Sequence, residues 1–133
     1  MSNVESQEFA QRIEVIETAY EYMLAYAAQG YEAIHEAQQN NDIRTHLESM
    51  ADALEGLGEV ASTLAALVDK EKIDGYQDFL AALLNDAKKT QGAVRLTLAR
   101  SGISSQLIDN LNASIHVRAL LTDLFLLDEA LKN

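Results

Sequence analysis

The sequence predicts an all-α protein, an antiparallel up-down-up-down four-helix bundle with long helices and short turns. Three observations predict it. The 133 residues include 20 Ala and 19 Leu, six Gly and no Pro, which favours helices and leaves an all-β fold short of β-branched strands and turn residues. Apolar residues recur at alternating steps of four and three, the rhythm of an amphipathic helix. The interruptions between these runs are short and polar, so consecutive helices become antiparallel neighbours. The length suits one domain over residues 1–133, and 48% apolar content can fill its core.

The first helix is expected over about residues 4–39. Its seam is Phe9, Ile13, Ile16, Tyr20, Met23, Ala27, Gly30 and Ile34. Ser2 with Glu5, or Ser6, supplies the N-terminal cap. The polar patch Gln38-Gln39-Asn40-Asn41-Asp42 suits a tight reversal.

The second helix is expected over 42–69, with Asn41 or Asp42 as cap. Ile43, Leu47, Met50, Leu54, Leu57, Ala61, Leu64 and Val68 form its seam. The third, over 74–101, opens with the box-like spacing of Asp74 and Gln77. It carries Tyr76, Leu80, Leu83, Ala87, Thr90, Val94 and Thr97 inward, and Gly102 suits the left-handed position after it.

The fourth helix, over 104–132, has two apolar faces. Leu107, Ile108, Leu111 and Ile115 share one; Val117, Leu120, Leu124, Leu127 and Leu131 lie nearly opposite. Leu121, Phe125 and Leu126 fill much of the circumference between. Either the helix kinks near Asn112-Ala113-Ser114 or its second half is covered on more than one side.

The formal net charge of −11, from 21 acids and 10 bases, disfavours phosphate backbones and anionic membranes, so neither nucleic acid nor membrane is an expected partner. The charge is uneven: residues 1–42 hold eight acids against Arg12 alone, whereas residues 71–102 hold four acids and five bases. Cysteine is absent, which excludes disulfides, thiolate metal sites and cysteine nucleophiles. Met1-Ser2-Asn3-Val4-Glu5 lacks the regions of a secretory signal, and the apolar stretch Ala119–Leu127 is too short to span a bilayer. A cytoplasmic protein is expected.

Chemistry-bearing patterns are sparse. A dinuclear carboxylate site needs two Glu-x-x-His motifs, and only Glu32-Ala33-Ile34-His35 is present. A reversal near Asn41 brings His35 level with His46, with Glu36 close by, as a candidate metal rim. Tyr20, Tyr22, Tyr26 and Tyr31 cluster in the first helix, and the same reversal sets Gly56-Leu57-Gly58 across from Tyr22 or Tyr26 as a packing notch. There is no nucleophile elbow, phosphate loop or dinucleotide fingerprint. His46-Leu47-Glu48-Ser49-Met50 departs from the His-x-x-Lys-Gly pattern of histidine phosphotransfer bundles at the lysine and glycine that make it specific.

These readings converge on a non-catalytic protein that acts by association with other proteins, first with a second copy of itself. Leu120, Leu121, Leu124, Phe125 and Leu127 are the expected homodimer interface. The acidic first helix offers a surface for a basic protein partner. No catalytic residue and no cofactor are expected. The alternative is a metal- or small-ligand-binding bundle using the histidine rim or the tyrosine–glycine notch.

Overall fold

The computed structural model describes residues 3–32, 37–66 and 76–131. Among them the protein is all-helical, in six segments: α1 (Asn3–Ala28), α2 (Ala37–Leu54), α3 (Leu57–Ala66), α4 (Tyr76–Leu98), α5 (Ser105–Ser114) and α6 (Val117–Leu131). No described helix is long and apolar enough to cross a membrane.

Most described seam residues lie inward as the periodicity requires, but Gly30 of the first seam is exposed beyond the end of α1, and the helix ends differ from those expected; Ile34 and Val68 lie outside the described residues. Helix α1 stops at Ala28, well before residue 39, and Ser6 lies within it rather than capping it. Gln29 N donates to Tyr26 O at 3.2 Å, and Gly30 takes a φ of 71°, which only glycine adopts at little cost. Helix α2 already runs from Ala37. Asn41 and Asp42 are therefore inside a helix and neither cap it nor turn the chain. Instead Gln38 Nε2 donates to Asp42 Oδ1 at 3.1 Å, and Asn40 Oδ1 accepts from the distant Ile103 N at 3.1 Å. The expected end at residue 69 and the Asp74 cap lie outside the described residues.

The expected second helix is broken at Glu55-Gly56, where Gly56 has a φ of 74°. The apolar seam passes through the break: Leu54, Leu57, Ala61 and Leu64 are all buried. Helix α4 ends at Leu98, before the expected residue 101.

The fourth expected helix is also two. Ser104 caps α5 by accepting from Leu107 N at 3.1 Å. Ile115 turns to extended backbone at φ −117°, ψ 146°, and α6 restarts with Leu120 N bonded to His116 O at 2.8 Å. This break reconciles the two apolar faces. Ile108, Leu111 and Ile115 of the first part and Val117, Leu120, Leu124 and Leu127 of the second are all buried.

Both α1 and α4 pack against the α2–α3 pair and against the α5–α6 pair. Phe9, Ile16, Met23, Ile43, Leu47, Met50, Leu83 and Ile108 are among the fully buried side chains between them.

Candidate functional site

The buried face of α6 disposes of most of the expected interface. Leu120, Leu121, Leu124 and Leu127 are 5% exposed or less, covered by the chain's own core, and so are not available to a second copy. Only Phe125 of the five is exposed, at 45%, and Leu126 beside it is exposed at 60%. Ala119, Thr122 and Ala130 are also exposed. With Leu126 they follow one another at steps of three, four and four, so they share one outward stripe of the helix. Sequence reading placed Leu126 on the circumference but did not separate this outer stripe from the inner one, because the break at Ile115 resets the phase.

The tyrosines do not meet the glycines. Tyr22 stacks on His46, ring centroids 4.0 Å apart and planes 16° apart. Burial, then the charge of Asp42 and the neighbouring Tyr31, raises its phenol above the ordinary tyrosine range. Tyr26 packs against Tyr31, centroids 5.1 Å apart, and donates its hydroxyl to Ile103 O at 2.5 Å. Gly56 and Gly58 have other neighbours. A Cβ at Gly56 would approach Arg12 Nη2 at 3.7 Å, and one at Gly58 would run into Leu84 Cδ2. The notch exists, but it admits a leucine of α4.

Near Tyr26 lies a network that sequence reading missed. The buried Ser105 hydroxyl donates to Tyr26 O at 2.6 Å and accepts from Tyr31 N at 2.8 Å, while Ser105 N donates to Tyr31 O at 2.9 Å. It ties the end of α1 to the start of α5 across more than seventy residues, a long-range pairing that no local pattern encodes.

Two arginines serve helix ends. Arg12 Nη1 donates to Ala53 O at 2.9 Å, and also to Asp52 O and Glu55 O, at the C-terminus of α2; its Nη2 pairs with Glu8 at 3.1 Å. Arg44 donates to Leu98 O at 2.8 Å and to Arg100 O at the end of α4. Gln91 Nε2 adds a bond to Ala51 O at 3.0 Å, and Glu55 accepts from Gln91 and Arg95 at 2.6 and 3.1 Å. Those bonds hold the Glu55 carboxyl below its ordinary range, the Gln91 bond contributing most.

Of the candidate metal residues, His35 and Glu36 lie outside the described residues. The level placement of His35 and His46 rested on a reversal at Asn41, which is helical. Among the described residues no three His, Cys, Asp or Glu side chains gather into a group able to hold a metal ion.

A hollow of about 550 Å³ lies at the α5–α6 break and is lined by Tyr20, Asn112, His116, Arg118 and Asp123 among others. Burial, then the charge of Asp86, raises the Asp123 carboxyl above its ordinary range. Comparison with protein-family models, curated proteins and solved structures finds no match to this chain.

Proposed function

We propose that this is a non-catalytic helical-bundle protein that acts through protein–protein association, and that it forms a homodimer along the outer face of α6. The observation that carries this reading is the pair Phe125 and Leu126, exposed side by side on a helix whose inward face is already filled. A solvated helix has no use for a second apolar stripe, and exposed it promotes aggregation. Ala119 and Thr122 at one end of the stripe and Ala130 at the other are small, which lets a second helix approach to about 8 Å.

A two-fold axis across Thr122 sets two α6 helices antiparallel, Leu126 of each over the Ala119 region of the other. Arg118 lies near the start of α6 and Glu129 near its end, on the same flank of the stripe. Antiparallel pairing brings each Arg118 toward the partner's Glu129, which supports this orientation over the parallel one.

Within each subunit this reading takes α2 with α3, and α5 with α6, as single legs of an antiparallel up-down-up-down four-helix bundle. The packing of both α1 and α4 against each pair supports it. A cytoplasmic location belongs to the same reading, since a cysteine-free chain gains nothing from an oxidising compartment.

The test is charge substitution. Phe125→Glu with Leu126→Glu is expected to halve the solution mass while leaving the helical circular dichroism unchanged, since both sites are solvent-facing. Leu124→Glu, by contrast, buries a carboxylate in the subunit core and is expected to unfold the chain. A double variant that keeps the wild-type mass would refute the interface.

A further inference from the structure

The outer seam between α1 and α2 holds a groove that the α6 contact leaves open. Two adjoining hollows of about 450 and 480 Å³ share Gln11, Val15 and Ser49. Their floor is apolar and shallow-sided because its residues are small: Ala19 and Ala53 are buried, and Val15 between them is 38% exposed. From Glu8 to Thr18 the groove follows α1 for about 15 Å, the length of nearly three helical turns.

The rim is acidic. Glu8 and Glu14 of α1 and Asp52 of α2 line the two hollows. The lining cation, Arg12, is directed away from a ligand: its guanidinium is bound to the α2 carbonyls and to Glu8. With Glu8 paired to Arg12, the carboxylates of Glu14 and Asp52 border a groove in which Val15 is exposed and Ala19 and Ala53 lie buried beneath it.

We propose that this groove binds a basic amphipathic helix of another protein. Leu- or Met-sized side chains at helical spacing fill the space over Val15, Ala19 and Ala53, as in helix-in-groove recognition. Lysines and arginines flanking that stripe meet Glu14 and Asp52. Charge complementarity selects this occupant over an acidic or neutral helix, and it sets a salt-dependent encounter rate. The site is separate from α6 and does not depend on self-association there.

The experiment uses the full chain, isotopically labelled for NMR, titrated with an amphipathic peptide of about 16 residues built from Leu and Lys. The expected result is saturable binding, weakened by salt, with shifts concentrated at Gln11, Val15, Thr18 and Ser49. Glu14→Lys with Asp52→Lys, both at exposed positions, is expected to weaken it about tenfold or more. The same peptide with Glu in place of Lys is expected to leave the spectrum unchanged. Absence of saturable binding, shifts centred on α6, or an unaltered affinity in the charge-reversed variant would overturn the proposal. A fall in solution mass caused by that variant would also overturn it, because it would identify the basic α4 of a second copy as the occupant.

Discussion

Ser105 shows how much one hydroxyl can organise. It is 3% exposed and joins Tyr26 and Tyr31 through its own donor and acceptor. Ser105→Ala leaves Tyr31 N without that partner, and the expected loss is about 1–3 kcal/mol, read as a lower urea midpoint at unchanged slope. Ser62, exposed on α3, provides the control, whose alanine variant is expected to stay within about 0.5 kcal/mol of the wild type. Asp123 gives a prediction of the opposite kind. Burial, then Asp86, raises its folded pKa above the unfolded value, so between those two values the folded state holds the proton more strongly. Stability is therefore lost as pH rises from the ordinary aspartate range through the raised value. Asp123→Asn removes that loss. Thermal midpoints of variant and wild type are expected to diverge in favour of the variant toward neutral pH and to keep a constant separation in acid. Glu55 has the reverse sign: its lowered pKa makes its contribution present above the ordinary glutamate range and lost as pH falls through the folded value.

Helix by helix, periodicity encodes which side faces inward and says little about where the backbone stops. Phe9, Ile13, Ile16 and Met23, then Ile43, Leu47 and Met50, and then Leu83, Ala87, Thr90, Val94 and Thr97 are all buried as their spacing requires. The break in the second helix escaped because the seam crosses Glu55-Gly56 without a gap, whereas the two apolar faces of the fourth pointed to a kink beside its own break at Ile115. The first reversal escaped for a different reason. Asn40, Asn41 and Asp42 have weak helix propensity, a matter of tenths of a kcal/mol each. Tertiary bonds such as Asn40 to Ile103 outweigh it. The glycine that does turn, Gly30, sat on a seven-step of the seam and read as core. Moving the reversal slides the α1–α2 pairing by about four helical turns. Tyr22 consequently meets His46 rather than Gly58. The arginine caps were illegible for a similar reason, since each joins residues forty or more apart. Arg12→Lys tests the α2 cap: an ammonium cannot reach three carbonyls in a fork. The expected effect is about 1–2 kcal/mol of stability and faster amide exchange in the last turn of α2, with α4 unaffected.

At the scale of the whole molecule, the chain buries one apolar stripe of every helix and leaves a second on α6. It also gathers acids on α1 and α2 while the late cations Lys88, Lys89 and Arg95 lie exposed on α4. Sequence reading identified α6 as the anomalous element from its apolar excess. The residues carrying the proposed contact changed because the break at Ile115 turns four of the five expected leucines and phenylalanine inward. What remains outward is compact: Phe125 and Leu126 between small residues. Solution mass by light scattering across micromolar concentrations reports directly on self-association along that stripe. Twice the chain mass of 14.6 kDa is expected for the wild type, falling to the single chain in the Phe125→Glu, Leu126→Glu variant. A wild-type mass of 14.6 kDa throughout that range would contradict it.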